Sequence, residues 1–211
     1  MRRRDLPTWH AVTRRLILAS SSPARLQLLQ GAGLQPEVVP SHVAEDGVEH
    51  LPPTEAVRVL AQRKAEVVAA SARIDSDPPL VIGCDSLLEF DGAAWGKPDS
   101  PAEVVDRWQK MRGRKGLLHT GHCLIDTATN SMAGATDIAL VRFGVPSDRE
   151  IETYARTSEA LEVAGPFTLE GRSAPWIDSI DGNYGTITGI SLPVLRRLLA
   201  ELDVEIIDLW S

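Results

Sequence analysis

The segment from Leu16 to Leu29 places the tightest constraint on the fold. Leu16–Ala19 is a four-residue apolar run, long enough for a buried strand and too short for a helix. Three serines and Pro23 follow. Ser22-Pro23 predicts an N-cap with proline at the first helical position. Leu26, Leu28 and Leu29 give that helix an apolar face, and Gly31 or Gly33 ends it. A strand leading directly into a capped helix gathers free backbone N–H groups, hydroxyls and Arg25 at one point. This suits an anionic oxygen. It equally describes a well-capped helix with no ligand.

The same alternation continues along the chain. Glu37–Pro40 is extended, and Ser41–Pro53 is a polar loop holding Glu45 and Asp46. Residues 54–70 have helical periodicity, with Lys64 interrupting the apolar face. A lysine there snorkels to the rim or points into a cleft. Leu80–Cys84 is a second buried strand, with Asp85-Ser86 at its exit. Leu87–Phe90 and Ala93–Trp95 form a hairpin about Asp91-Gly92. Ser100-Pro-Ala-Glu103 is a capping box opening a helix to Met111. Lys115–Thr127 and Ser131–Phe143 are two long strands. Ser147-Asp-Arg-Glu150 opens a helix to Arg156. Glu159–Arg172 and Gly182–Gly189 are loops, Trp176–Ile180 a strand, Pro193–Leu202 an amphipathic helix and Val204–Leu209 a last strand. The expectation is an α/β fold, a mixed central sheet with flanking helices in two lobes around a cleft.

Composition excludes several classes. The 211 residues carry a net charge of −7, which argues against general nucleic-acid binding. Residues 1–25 nevertheless hold six arginines against one aspartate. No apolar stretch of signal-peptide length follows Arg2-Arg3-Arg4, so residues 1–13 are expected to form a flexible basic tail. No run of about 18 apolar residues predicts a membrane span. Cys84 and Cys123 lack C-x-x-C spacing and lie in apolar runs, as buried free thiols of a reducing cytoplasm would.

No Walker, dinucleotide-binding or nucleophile-elbow motif is present. His119 and His122 are three apart on a strand and face opposite sides, a poor metal chelate. What remains is a set of charges near element ends: Arg25, Glu45, Lys64, Asp85, Lys97 and Glu170. A carboxylate at a strand exit lies where open α/β sheets bind ligands. Glu45 and Asp85 could share a divalent cation, with Lys64, Lys97 and Arg25 offsetting phosphate charge. Each lysine alone also describes a solvated surface amine.

The chain resembles the Maf family of nucleoside triphosphate pyrophosphatases. The resemblance begins at Leu18-Ala-Ser-Ser-Ser-Pro-Ala-Arg25 and continues through Val43-Ala-Glu45, Leu60-Ala-Gln-Arg-Lys-Ala65, Gly83-Cys-Asp-Ser86 and Gly96-Lys-Pro98. Thr120-Gly121, Glu159, Ala164-Gly165, Glu170-Gly171 and Gly189-Ile-Ser-Leu-Pro193 follow in order, so the match spans residues 16–200. It implies a single catalytic domain over residues 14–211, similar to inosine-triphosphate pyrophosphatase folds, and a cytoplasmic homodimer. It implies hydrolysis of a nucleoside triphosphate to a monophosphate and pyrophosphate with Mg²⁺ or Mn²⁺, a house-cleaning of non-canonical nucleotides. By position it implies that Ser20, Ser22 and Arg25 bind phosphate and that Glu45 and Asp85 hold the metal and the attacking water, with Asp85 as general base. Lys64 and Lys97 clamp the phosphates, and Ser86 and Glu170 contact the substrate.

Three departures from the family pattern stand out: Ala24 replaces an arginine, Ser86 a threonine and Glu170 a glutamine. The lost arginine weakens a contact unless Lys115 or another cation replaces it. An ionised carboxylate only accepts hydrogen bonds, which suits the adjacent donors of a guanine-type base and resembles the branch linked to 7-methyl-GTP. Glu170 facing solvent is the alternative. A rival function is a nucleotide-binding regulator of cell division, since the family name is linked to septum formation. A sugar-phosphate enzyme using the same phosphate site is weaker still.

Overall fold

The computed structural model describes residues 14–72 and 77–210; the predicted basic tail at 1–13 lies outside them. The chain enters as β1 (Leu16–Leu18), buried throughout, and passes into α1 (Pro23–Gly31). The Ser22 hydroxyl caps α1 by accepting from the Arg25 N–H at 3.4 Å. Next come β2 (Glu37–Val38) and α2 (Pro53–Ala72). β3 (Leu80–Phe90) turns through Asp91 and Gly92, both at positive φ, into β4 (Ala93–Trp95). Then follow α3 (Pro101–Met111), β5 (Lys115–Asp126), β6 (Ser131–Phe143), α4 (Asp148–Ala155) and the single turn α5 (Glu159–Glu162). The chain closes with β7 (Ile177–Asp181), α6 (Tyr184–Thr188), α7 (Leu192–Glu201) and a 3-10 turn at Ile206–Leu209.

The seven strands form one mixed sheet in the order β2-β1-β3-β5-β6-β7, with β4 also on β3. β1 runs parallel to β2 and β3, and the remaining pairs are antiparallel. Three apolar clusters hold the sheet. One joins β1 and the first half of β3 to α1 and α7, through Leu18, Leu29, Ile82, Leu124 and Leu195. A second lies on the opposite face, where Ala61, Ala65, Val68 and Ala69 of α2 meet Val81 and Ile125. The third builds the other lobe around Trp108, whose indole N–H donates to the Pro166 carbonyl at 2.8 Å. Phe143, Tyr154 and Trp176 meet Trp108 edge to face, the arrangement favoured by ring quadrupoles.

Two glycines decide how closely α2 approaches the sheet. A Cβ on Gly83 would overlap the Ala61 carbonyl, and one on Gly121 would overlap the Val57 carbonyl. The α2 backbone therefore rests directly on β3 and β5. No helix among the described residues is long and apolar enough to cross a membrane.

The mixed α/β reading stands, and several local expectations change. The second strand does not stop at Cys84: β3 continues for 11 residues, because β5 pairs with it from Leu80 to Glu89. Asp85 thus lies in mid-strand, not at a strand exit. Gly182–Gly189 contains α6, capped by Asn183 accepting from Gly185 N–H at 2.8 Å and ended by Gly189 at φ 101°. Glu159–Arg172 contains α5. Val204–Leu209 is no strand; Glu205 and Asp208 cap each other around a 3-10 turn, leaving one bridge from Leu34 to Trp210. The Ser100 box is half closed: Ser100 accepts from Glu103 N–H, while Glu103 reaches back to Asp99 N–H at 2.8 Å.

Candidate active site

The site begins at a gap in the sheet. β5 covers one edge of β3 along its length. On the other edge β1 covers Leu80–Ile82 and β4 covers Leu88–Phe90. Residues 83–87 lie between these pairings with no strand partner on that side among the described residues. Asp85 and Ser86 occupy the gap and, as neighbours in a strand, point to opposite faces. Both line one cavity of about 370 Å³ between the lobes. The open edge thus gives a single cleft access to both faces of the sheet.

On the α2 face the chemistry is charged. Lys64 Nζ lies 2.6 Å from Asp85 Oδ1 and 2.6 Å from Glu45 Oε1. The Lys64 side chain is 12% exposed and that of Asp85 8%, whereas Glu45 is 61% exposed. Burial pushes the Asp85 carboxyl above the ordinary carboxylate range, with Lys64 and Arg25 opposing that shift and Glu45 adding to it. Lys64 therefore points into the cleft, the second of the two sequence readings.

On the opposite face the chemistry is a hydroxyl relay around one guanidinium. Arg25 Nε donates to the Gly189 carbonyl at 2.8 Å, Nη1 to Ser20 Oγ at 2.9 Å and Nη2 to Ser86 Oγ at 3.3 Å. Thr120 donates to the Thr186 carbonyl at 2.7 Å, so Ser86 donates to Thr120 across their 2.8 Å contact. Ser20 Oγ accepts from both Arg25 and Ser22 N–H, leaving its own proton free. Ser20 is thereby placed to donate to an anion in the cleft, whereas the Ser86 proton is spent on Thr120.

Lys97 also lines the cavity and has no carboxylate partner among the described residues. The loop before it is held by Arg107, which donates to the Gly96 carbonyl at 2.7 Å and stacks over Trp95. Ala24 lines the cavity where the family pattern has arginine. Lys115 is no replacement: it stands exposed at the start of β5, opposite Arg142, and is not part of the cavity wall. Glu170 lies just outside the wall, tied to it by Thr188. Its Oε1 accepts from the Tyr184 hydroxyl at 2.8 Å and the Thr188 hydroxyl at 3.2 Å. Both lone pairs of that oxygen are engaged, and Oε2 is its remaining acceptor.

Sequence reasoning missed several wall residues. Ser41, Glu162, Thr168 and Thr188 carry no local signal. His42 lines the cavity at φ 49°, an uncommon conformation for a non-glycine residue. Tyr184 and Thr186, outside the wall, lie on α6, a five-residue helix within a stretch expected to be a loop.

His119 and His122 face opposite sides, as expected. His119 bonds Thr54 and Glu89, and His122 Nε2 accepts from Ser191 N–H at 2.8 Å. Both cysteines are free and buried, and burial pushes their thiols up to about 11 for Cys84 and about 12 for Cys123. Neither is a nucleophile at neutral pH.

No cluster of three or more His, Cys, Asp or Glu side chains forms a complete metal cage among the described residues. The donor set nonetheless suits a hard divalent cation: Glu45 and Asp85 present carboxylate oxygens to one point, beside a wall of hydroxyls and cations. Mg²⁺ takes one or two carboxylates with substrate phosphates in this manner.

The chain is similar to known proteins along nearly its whole length. The chain is 54% identical over 198 residues to a nucleoside triphosphate pyrophosphatase of Streptomyces avermitilis, covering 94% of this chain and 95% of that one. Proteins of the same name from Salinispora tropica and Synechococcus elongatus are 49% and 48% identical, covering 93% and 94% of this chain and 88% and 98% of theirs. A solved dITP/XTP pyrophosphatase from Mycobacterium abscessus overlaps 90% of this chain and 97% of its own with a TM-score of 0.41 and 12% identity. A family model described as Maf-like protein matches residues 15–202, and the chain belongs to that family.

Proposed function

We propose that this chain is a hydrolase that cleaves the α–β phosphoanhydride of a nucleoside triphosphate, releasing a monophosphate and pyrophosphate. One observation carries the reading. A single cleft holds a carboxylate pair on one side of an open strand edge and a guanidinium with free hydroxyl protons on the other. A triphosphate carries about four negative charges, and cleavage needs positioning and electrostatics more than covalent chemistry. Its relatives carry the same activity in their names.

Ser20, Ser22 and Arg25 bind the phosphate chain at the start of α1. Arg25 has five N–H donors and spends three on the protein, so two remain for substrate. Lys97, with no carboxylate partner among the described residues, supplies a further positive charge. Asp85 accepts the proton of the attacking water, and its burial moves its basicity toward neutral pH. Glu45 and Asp85 would hold Mg²⁺ or Mn²⁺, which would offset phosphate charge as it develops. Ser86 anchors Arg25 from beneath. The serines bind and do not attack.

Pyrophosphate release over a panel of triphosphates with Mg²⁺ or Mn²⁺ tests the reaction. Asp85→Asn should lower kcat by about 10³-fold. Equal turnover in that variant overturns the mechanism. The regulator reading gains no support from the cleft, since a protein that only binds nucleotide has no need of the intact carboxylate pair.

Glu170 sets base choice. Its free Oε2 has two lone pairs for the adjacent N1–H and exocyclic amine of a guanine-type edge, whereas uracil or thymine offers a single N3–H there. Glu170→Gln should shift the kcat/KM ratio of GTP-type to UTP substrates by roughly tenfold toward UTP. An unchanged ratio removes Glu170 from base recognition.

A further inference from the structure

We propose that Lys64 is a place-holding cation that couples metal binding to polyphosphate binding. The proposal rests on reading the cleft as a metal-and-phosphate site. Lys64 Nζ lies 2.6 Å from an oxygen of Asp85 and 2.6 Å from one of Glu45, so it fills the gap between the two carboxylates. An ammonium and a divalent cation cannot occupy that gap together. In the free protein Lys64 offsets the carboxylate charge, and a cation that binds there must displace it.

The helix cannot supply that displacement. Gly83 and Gly121 seat the α2 backbone directly on the sheet, and Ala65 N would lie only 2.7 Å from a Cβ at position 83. The side chain moves instead, because its four-carbon stem is flexible. Leaving Asp85 costs Lys64 its buried partner unless a second anion is within reach. The cavity beside it is walled by Ser20, Ser22, Arg25 and Lys97, donors and cations that gather phosphate but give an ammonium no counter-charge, and the wall's remaining carboxylate, Glu162 on α5, is solvent-exposed. A polyphosphate supplies that charge. It draws Lys64 off the carboxylates and frees them for the metal. Metal alone has to expel Lys64 with no buried counter-charge to receive it. The two ligands therefore bind with positive and reciprocal coupling through one side chain.

The test is Mn²⁺ binding to the full chain at pH 8, read from the paramagnetic resonance signal of the free ion with no nucleotide present. Lys64→Met should bind Mn²⁺ about tenfold or more tightly than the wild type. Lys64→Gln keeps an N–H donor for the carboxylates without the charge, should give the same gain, and serves alone if circular dichroism shows the Met variant unfolded. With a saturating α,β-methylene nucleoside triphosphate, and after subtracting Mn²⁺ held by the analogue itself, the wild type should gain roughly the same factor. The variants should gain much less. Unchanged or weaker Mn²⁺ binding in a folded variant overturns the proposal, as does a wild type whose Mn²⁺ affinity ignores the analogue. Pyrophosphate release by the wild type beside either result leaves the catalytic reading standing. Its absence for every triphosphate removes that reading on separate grounds.

Discussion

The two faces of β3 at Asp85 and Ser86 solve the problem of polar groups at a buried edge in different ways. The α2 face uses full charges: a buried aspartate, a lysine and an exposed glutamate within 2.6 Å contacts. The α1 face uses directed hydrogen bonds, from Arg25 through Ser86 and Thr120 to the Thr186 carbonyl. Charges in a low-dielectric site are strong and can be redirected by another charge. A hydroxyl relay is weaker per bond but fixes orientation, because each proton has one acceptor. The first arrangement fits chemistry and exchange of partners. The second fits a rigid cradle.

That contrast can be broken from either side. The largest effect is expected from Gly83→Ala, which drives a methyl into the α2 backbone. It should cost about 3 kcal/mol in a urea titration and part Lys64 from Asp85, while the Arg25 cradle stays intact. Retained stability with full turnover would show that α2 is not held as closely as the glycine implies.

The next effect belongs to the other face. His122 is fully buried, and burial lowers its pKa from 6.5 to about 4. The unfolded chain takes up that proton below pH 6.5 while the folded chain resists until about 4. The stability that neutral His122 contributes is therefore complete above pH 6.5 and is lost as pH falls through that window. The loss amounts to about 3 kcal/mol. His122→Gln should flatten this part of the stability profile, and an unaltered slope would assign the acid sensitivity to other groups.

Ser86→Ala should have the smallest effect. It removes the hydroxyl that joins Arg25 to Thr120 and should cost about 1 kcal/mol of stability. KM for the triphosphate should rise a few-fold with kcat unchanged, the reverse of the pattern expected for Asp85→Asn. A fall in kcat alone would place Ser86 in the chemistry rather than in the cradle.

The local elements were legible where a cap, a turn or a period marks them. Ser22-Pro23, Asp91-Gly92 and the box at Ser147 each specify backbone geometry within a few residues, and the structure follows them. The polar Asp85-Ser86 pair ends the apolar run Leu80–Cys84 and so reads as a strand exit. The interruption marks a feature of a different kind, an open edge in the middle of a longer strand. No local pattern distinguishes the two, since strand length here is set by pairing with β5, which begins 25 residues after the end of β3.

The sequence by itself determined the α/β alternation, the capped start of α1, the buried thiols and the set of residues with the chemistry for a triphosphate. Those follow from propensity, periodicity and side-chain type, all of them local. Only the tertiary structure decided that Lys64 bridges Glu45 and Asp85, that Arg25 is fixed by Gly189 from across the cleft, and that Lys115 is too remote to replace the missing arginine. Such choices depend on which strands pair and how closely α2 lies on them. They are made by Cβ-free contacts at Gly83 and Gly121 between segments far apart in the chain.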